Sequence, residues 1–247
     1  MSGVRLFSTI STEGTEKVVD SVGGYTPLES NVYKGTVTSA YVTASQTEGS
    51  LSQGLNLVIK LENGTEYRET IYFLSKEGLA TTEKNGKLLK RREYVLVDDL
   101  SLLASEIPFS DALFEEKLVQ VWDNDAQARI PKPMMTLVDV LDKEFYFAIQ
   151  TTKKFKQEHD GSGWVDTDRV IHESKIQKIM SDEGFTVLEL IEGVSEAVFI
   201  ETWRKAHGNK IVDRTANGPK GGAKKGVPGQ APGAAAKPAG QLFKRRA

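Results

Sequence analysis

The chain has 247 residues, of which 39% are hydrophobic, no cysteine and a formal net charge of −2. This length allows one or two domains with a substantial core. The lack of cysteine excludes disulfides, thiolate metal sites and a cysteine nucleophile, and it fits a reducing compartment. No run approaches the ~20 apolar residues of a membrane helix, and the first residues lack the apolar stretch of a secretory signal.

Charge is distributed unevenly along the chain. From Gly208 onward there are nine Lys or Arg residues and one acid, Asp213, which gives this tail +8 and leaves −10 for the preceding body. An acidic body with a basic arm is typical of proteins that contact nucleic acid or another protein.

The first organised stretch predicts a meander of three strands after an N-terminal extension of residues 1–30. The strands are expected at residues 32–42, 55–61 and 65–74. The first is rich in β-branched and aromatic residues, and the second alternates Leu or Ile with other residues as a half-buried strand does. Asn63-Gly64 predicts a hairpin whose two central residues take positive φ.

The two faces of this meander differ in chemistry. Tyr67, Ile71 and Phe73 are expected to join the leucine face, which leaves Lys60, Arg68 and Tyr72 on the other. A curved sheet that presents cations and rings can bind single-stranded nucleic acid, because cations track phosphates and rings stack on bases. The alternative is that these are ordinary surface residues.

The middle of the chain predicts further strands and one helix. Residues 78–92 are expected to form a charged, mobile hairpin loop, and a helix is expected to begin at Asp98-Asp99 and to end at Pro108. Residues 114–122 predict a strand. Pro131 and Pro133 restrict the next segment to an edge strand or loop, and residues 135–141 suggest a short helical turn.

The last strand of the predicted core covers residues 144–156. A turn at residues 161–163 follows, after which Trp164-Val165 is expected to pair back, whereas residues 169–180 are polar and ambiguous. Thr186 and Ser195 each precede a predicted helix, the second of which ends near Gly208.

From Asn209 the composition is dominated by Gly, Pro, Ala and Lys, which predicts a disordered linker. The chain then finishes with an apolar pair beside three cations, which is typical of a short recognition peptide: Leu242, Phe243, Lys244, Arg245 and Arg246. The alternative is a merely solubilising end.

These elements predict a mainly β fold with a few helices, of the α+β class. Five strands with a helix before the fourth match an OB-like five-stranded Greek-key barrel. The expected organisation is an N-terminal extension at 1–30, an OB-fold core at 31–181, a C-terminal helical segment at 182–208 and a disordered basic tail at 209–247.

Catalytic motifs are few. No nucleotide-binding glycine loop occurs, and the three histidines lack metal-site spacing. Asp123-Asn124-Asp125 lacks the glycine and glutamate of a calcium loop and predicts a turn. One enzymatic alternative is a magnesium-dependent nuclease that uses three groups: Asp111, Glu115 or Glu116, and Lys117.

The binding signal is broader, because cations alternate with rings along several predicted strands. The candidate DNA-binding residues are Tyr33, Lys34, Tyr41, Lys60, Arg68, Tyr72, Arg91, Arg92, Lys153, Lys154, Phe155 and Lys156, and Tyr94 and Trp122 belong to the same pattern. The sharpest cluster is at residues 153–156. Its alternative role is a solvated strand end with one core Phe.

Several stretches resemble single-stranded DNA-binding proteins of tailed bacteriophages. These stretches are residues 32–43, 55–59, 68–72, 115–122, 130–133 and 153–156, and the similarity extends over residues 31–181. The resemblance implies an OB-fold core that coats single-stranded DNA during phage replication and recombination, in the cytoplasm of the bacterial host. It implies neither catalytic residues nor a cofactor.

The C-terminus departs from that family. Many such proteins end in an acidic tail tipped by phenylalanine that docks partner enzymes, whereas this tail is basic. The departure indicates one of two partners for Leu242, Phe243 and the cations after them. The partner is either an acidic surface on a replication, recombination or transcription protein, or the DNA itself. A further alternative is therefore a transcription-regulating protein that contacts RNA polymerase through its tail.

Overall fold

The computed structural model describes residues 27–161, 163–216 and 218–219. The described chain is mainly β and of the α+β class, as predicted. Its strands are β1 (Asn31–Ala44), β2 (Gln53–Leu61), β3 (Glu66–Ile71), β4 (Thr81–Lys84), β5 (Lys87–Lys90), β6 (Phe114–Asp123), β7 (Ala128–Leu137), β8 (Glu144–His159), β9 (Trp164–Met180) and β10 (Val212–Asp213). Its helices are α1 (Arg92–Ser105), α2 (Val187–Glu192) and α3 (Phe199–His207).

The predicted meander is confirmed. β1 pairs with β2 and β2 with β3, both antiparallel. The inward leucines of β2 are buried together with Tyr67, Ile71 and Phe73, whereas Lys60 and Tyr72 are exposed. The turn differs in detail: of its two central residues only Gly64, at φ 81°, takes a positive φ, and the Gly64 N–H donates a hydrogen bond to the Leu61 carbonyl.

β1 is the central strand of the sheet. Its register with β2 shifts between Val37 and Ser39, so Thr38 forms a bulge that bends the strand. Before the bulge β1 pairs with β8, and after it β1 meets β7 at Tyr41 opposite Thr136. The large sheet therefore runs β10-β8-β1-β2-β3, with β9 on β8 and β6 on β7.

The main core lies between the inner face of this sheet and α1. Its largest buried side chains include Leu57, Leu100, Phe145 and Phe147. A smaller cluster on the other side of β1 and β8 contains Trp203 of α3. The sheet is thus covered at different places by a helix on each face.

The first helix begins six residues earlier than predicted. Asp98 and Asp99 lie inside α1 and are buried, not at its N-terminus. They are tolerated there because Lys90 reaches Asp98 at 2.9 Å and Lys178 reaches Asp99 at 2.7 Å. No side chain caps the helix at Arg91, so the usual start signal is missing from the sequence.

The predicted hairpin within residues 78–92 and the predicted edge position of Pro131 and Pro133 are confirmed. Residues 78–92 contain the β4–β5 hairpin, whose turn places Asn85 and Gly86 at positive φ. Pro131 and Pro133 lie on β7, where one side pairs with β6 and the other has no ladder at those positions among the described residues. Proline fits such an edge because it has no N–H to donate. The expected helical turn is limited to a 3₁₀ turn at Val138–Val140.

β8 and β9 form a long antiparallel ribbon. The polar residues 169–180, which were ambiguous in sequence, belong to the 17-residue strand β9. β9 has no simple alternation of apolar residues, because most of its length is only half-buried or exposed.

The C-terminal helices form near the predicted positions. Thr186 caps α2 in a capping box with Glu189. Ser195 does not cap α3; instead the Glu189 carboxylate accepts hydrogen bonds from the Val198 and Phe199 N–H groups at 2.9 and 2.8 Å. One carboxylate therefore joins the two helices.

The predicted start of the disordered linker, at Asn209, is too early in the chain. The Asn209 N–H donates to the Ser30 carbonyl at 2.7 Å, and β10 pairs in parallel with Thr152 and Lys153 of β8. The chain therefore stays attached to the sheet as far as Asp213. The predicted N-terminal extension up to residue 26 and the recognition peptide of Leu242 to Arg246 lie outside the described residues.

The predicted five-stranded barrel is not confirmed, because no ladder of backbone hydrogen bonds joins β3 to β9 in the described chain. Side chains bridge the two edges instead. The Ile176 N–H donates to Glu69 at 2.8 Å, and the Tyr67 hydroxyl lies 2.9 Å from the Ser174 carbonyl oxygen. We call this contact the β3–β9 seam.

Candidate nucleic-acid interface

A groove lies between the outer face of β1–β3 and the β6–β7 hairpin. It consists of two adjoining cavities of about 340 and 240 Å³ that share residues from both walls. The sheet contributes Tyr41, Asn56, Val58, Arg68 and Thr70, and the hairpin contributes Lys117, Leu118, Gln120, Trp122 and Arg129. We call this feature the hairpin groove.

The floor of the groove is held by a polar network. Asn56 donates to the Thr43 hydroxyl at 2.7 Å and accepts from the Thr70 hydroxyl at 2.6 Å. These bonds join β1, β2 and β3 across their outer face. These bonds therefore hold the three strands together on the face that forms the floor of the groove.

The hairpin wall is positioned by its turn. Asp123 accepts hydrogen bonds from the Asp125 and Ala126 N–H groups at 3.0 and 2.8 Å, and Lys132 reaches the same carboxylate at 2.8 Å. The Lys132 ammonium, together with these backbone donors, lowers the pKa of the Asp123 carboxyl. The prediction of a turn at Asp123-Asn124-Asp125 is confirmed.

The groove combines cations with one exposed ring, that of Trp122. Arg129 lies directly across the ladder from Trp122, whose side chain is 54% exposed. No ion pair involves Arg129 among the described residues, and Lys117 has only a long pair with Glu115 at 3.6 Å. Both cations are therefore available to an anion.

Two of the predicted binding residues, Tyr41 and Arg68, line the groove. Arg68 is held by Glu66 at 2.6 Å, which offsets part of its charge. Lys60 lies on the same outer face, where it pairs across the ladder with Glu66, and it is exposed. The alternation of β2 and β3 was sufficient to identify this face.

Tyr33 and Lys34 lie elsewhere, on the part of β1 that pairs with β8. The Tyr33 hydroxyl donates to the Glu29 carbonyl at 2.7 Å, and the ring packs against the core. Lys34 pairs with Glu144 at 3.0 Å and lies 5.8 Å from the Tyr146 ring centroid. Both residues have local partners and do not line the groove.

Tyr72, Arg91 and Arg92 meet at a separate pocket of about 220 Å³, where the edge of β3 approaches the start of α1 and β9. Arg92 donates to the Ile176 carbonyl at 3.0 Å and to Gln177 at 2.7 Å. Arg92 therefore fastens α1 to β9. We call the pocket of about 220 Å³ the edge pocket.

The predicted lysine cluster lies on the β8–β9 ribbon, and each lysine has a carboxylate partner. Lys153 pairs with Asp213 at 3.1 Å, Lys154 with Glu173 at 2.6 Å, and Lys156 with Glu158 at 2.7 Å. Hydrogen bonds from Thr215, followed by Lys153, lower the pKa of Asp213 to about 2. Phe155 is half-buried opposite Val170. The ribbon lysines and Phe155 do not line the hairpin groove.

Sequence reasoning missed Gln120 and Arg129, and it assigned Lys117 only to the nuclease alternative. The hairpin that carries them was expected to be one strand followed by an edge or loop, so the wall it forms could not be foreseen. Trp122 belonged to the broader aromatic pattern and lines the groove. Tyr94 of that pattern packs at 6.3 Å from Phe109 in the core.

The described residues contain no group of three or more His, Asp or Glu side chains arranged to hold a metal ion. Of the residues weighed for a nuclease, Glu115 pairs with Lys117 on β6, whereas Asp111 lies in a 3₁₀ turn before that strand. Within the same described ranges, no helix is long and apolar enough to cross a membrane.

No family model matches the chain, and no curated protein or solved structure matches it either.

Proposed function

We propose that the protein binds single-stranded DNA with little sequence preference in the hairpin groove. The observation that carries the proposal is the pairing of Arg129, which has no ion-pair partner in the described chain, with the exposed ring of Trp122. A cation that tracks phosphates beside a ring that stacks on bases is the arrangement by which proteins hold single strands.

Groove dimensions favour a single strand over a duplex. The two cavities are bounded on one side by the sheet and on the other by the hairpin, and their volumes of about 340 and 240 Å³ suit individual nucleotides. Tyr41 and Trp122 stand on opposite walls, where they can contact bases that are unstacked from a flexible strand. Each such stacked base contributes on the order of 1–3 kcal/mol.

The order of the strands supports a more specific fold than the α+β class, namely one similar to the OB-fold. β1 pairs with β2 and β8, β8 with β9, and the seam joins β9 to β3 by side chains. We infer an OB-like barrel left open at the seam, with the β6–β7 hairpin inserted before β8. OB-folds bind oligonucleotides on the face of their second and third strands, and β2 and β3 form the floor of the groove here.

The biological setting is proposed from the phage-family resemblance. The protein would coat single strands during phage DNA replication and recombination in the host cytoplasm, without catalysis. Its tail, from Leu242 to Arg246, would recruit a replication, recombination or transcription protein.

A salt titration of binding to oligothymidylate and to duplex DNA tests the proposal. We expect affinity for the single strand to exceed that for the duplex and to fall steeply with salt. Lys117→Ala with Arg129→Ala should reduce the salt slope by about 1.4, because each lost phosphate contact removes about 0.7 from it. Lys84→Ala with Lys87→Ala removes the same charge from the exposed β4–β5 hairpin and serves as the control.

Tryptophan fluorescence gives an independent test of the site. The chain has three tryptophans, and Trp203 is only 6% exposed. We expect DNA to quench the emission of Trp122, and Trp122→Phe to abolish most of the quenching while it retains a ring for stacking. Quenching that persists in Trp122→Phe but disappears in Trp164→Phe would show that DNA binds near Trp164, at the start of β9, and not in the hairpin groove.

A further inference from the structure

The edge pocket adjoins the hairpin groove. The two share Glu69 and Thr70, and the pocket extends from there along β3 to Tyr72 and the start of α1. Tyr72 follows Arg68 by four positions, which corresponds to about 13 Å along a strand. A single strand that leaves the groove in this direction therefore enters the pocket within a few nucleotides.

Two cations at this pocket are weakly engaged. Arg91 has only a long ion pair with Glu93 at 3.7 Å, and its Nε atom has no hydrogen-bond partner in the described chain. Lys175 lies 3.6 Å from Glu173, whose other oxygen is held more closely by Lys154. Because these contacts are long, an incoming phosphate displaces little from either cation.

The ring of Tyr72 completes the pocket. It is 51% exposed and lies across the backbone at Gly54, where an added Cβ would stand 3.2 Å from a ring carbon. Glycine thus leaves room for the ring beside β2, and about half of Tyr72 stays exposed to solvent. An exposed ring of this kind offers a surface on which a base can stack.

The carboxylate of Glu69, which borders both cavities, does not oppose a phosphate strongly. It is directed into the seam, where it accepts hydrogen bonds from the Ile176 N–H at 2.8 Å and the Tyr67 hydroxyl at 2.7 Å. The carboxylates that remain beside the two cations are Glu93 at 3.7 Å from Arg91 and Glu173 at 3.6 Å from Lys175.

We propose that the edge pocket is a second station for the same DNA strand, in which Arg91 and Lys175 bind a phosphate and Tyr72 stacks on a base. The inference rests on the proposed function, since the strand reaches the pocket from the hairpin groove. It predicts that an oligonucleotide must exceed the length of the groove before the pocket contributes to affinity.

The test compares oligothymidylates of about four and about twelve nucleotides, lengths within the range that one OB-fold covers. Arg91→Ala with Lys175→Ala should weaken binding of the longer oligomer by about tenfold or more and of the shorter by less than about twofold. Arg91→Lys with Lys175→Arg retains both charges and should restore most of the affinity. Thermal unfolding of each variant checks that α1 remains folded.

The outcomes separate the inference from its premise. If the double alanine variant weakens both oligomers equally, or neither, the second station is wrong while the groove stands. If neither oligomer binds the unsubstituted protein, the proposed function fails and the inference fails with it. Lys84→Ala with Lys87→Ala is again the charge-matched control, and a length-dependent loss in that variant would also overturn the inference.

Discussion

Glu69 is an acid at a position where the fold has reason to exclude one. Its side chain points to the inner side of β3, where burial raises the pKa of the carboxyl. Hydrogen bonds from Ile176 and Tyr67, and the nearby Lys175 and Arg92, act in the opposite direction but do not cancel the effect of burial. The carboxylate remains because it supplies the acceptor that the β9 backbone needs at the seam.

Glu69→Gln is expected to change how stability depends on pH. A carboxyl whose pKa is higher in the folded protein binds its proton more tightly there, so its contribution to stability is fully present below the ordinary value of 4.5. That contribution is lost as pH rises through the folded-state pKa. The variant should lack this loss, and the difference is measured by denaturant unfolding between pH 4 and pH 8, at about half-unit steps.

Glu69→Ala distinguishes the charge from the hydrogen bonds. Alanine leaves the Ile176 N–H without its acceptor, so we expect a loss of about 1–3 kcal/mol in the free energy of unfolding at every pH. Glutamine keeps an acceptor oxygen and should lose much less. Equal losses in both variants would show that the seam does not depend on this hydrogen bond.

Among individual residues, two of the predicted DNA-binding residues, Tyr41 and Arg68, line the groove. Arg68 was identified because alternation assigns a side chain to a face once a strand is known, whereas Tyr41 was identified because cations alternate with rings along the predicted strands. Tyr33 has the same composition signal but packs beside β8, and which neighbour a strand meets along its length is not contained in its own alternation. Gly54 gave no signal, since its role depends on the position of the Tyr72 ring.

In the β8–β9 ribbon, the structure gives the predicted DNA-binding lysines carboxylate partners that the sequence did not reveal. Its lysines were singled out because cations and one ring are adjacent in sequence. In the folded chain each lysine lies within 3.1 Å of a carboxylate, so a phosphate would have to compete with an existing partner. Exposed ion pairs contribute little to stability, about 0–1 kcal/mol each, but they do offset local charge.

Substituting alanine at Lys153, Lys154 and Lys156 together should therefore reduce the salt slope of DNA binding less than Lys117→Ala with Arg129→Ala does. The same salt titration with oligothymidylate measures both. Three phosphate contacts would lower the slope by about 2, so a decrease of that size would place the ribbon in the DNA interface. Phe155→Ala should leave affinity intact and reduce thermal stability if its ring serves packing.

Elements differed in how well the sequence revealed them. The meander and β6 were predicted because apolar alternation and turn residues agree there. The start of α1 was missed since Lys90, Arg91 and Arg92 resemble a charged loop and no capping residue precedes the helix. β10 could not be foreseen, because a two-residue strand takes its stability from pairing with β8 and not from its own composition.

Charge is separated at the scale of the whole molecule. The tail from Gly208 carries +8 against −10 for the body, so the hairpin groove is a local basic site on an acidic protein. The body as a whole repels DNA at long range, and this repulsion is screened beyond about 10 Å at ordinary salt. Under the proposed function, we therefore expect such a body to need local contacts, or its basic tail, to approach a single strand.

The barrel shows the limit of prediction at this scale. Strand number and order suggested closure, but closure depends on whether two distant edges come close enough for backbone pairing. Here the insertion of side chains from Tyr67 and Glu69 replaces the ladder at the seam. Nothing in the local pattern of β3 or β9 reports that distance.

The C-terminal peptide has two possible partners, DNA and another protein, and deleting it distinguishes them. About 20 residues separate Pro219 from Leu242, enough to keep the end of the chain at a high local concentration near the body. If the peptide binds DNA, deleting residues 241–247 should lower both affinity and salt slope. If it binds a protein, Leu242 and Phe243 supply apolar anchors while the three cations provide steering towards an acidic surface.

We expect the second outcome, because an arm that acts by charge alone has no use for a Leu-Phe pair. Leu242→Ser with Phe243→Ser keeps every charge, whereas Ser at Lys244, Arg245 and Arg246 keeps the apolar pair. The first variant should leave oligothymidylate affinity unchanged and abolish capture of a replication or transcription protein from host extract. If only the second variant weakens DNA binding, and neither alters capture, the tail is a DNA-binding arm and the recruitment proposal is wrong.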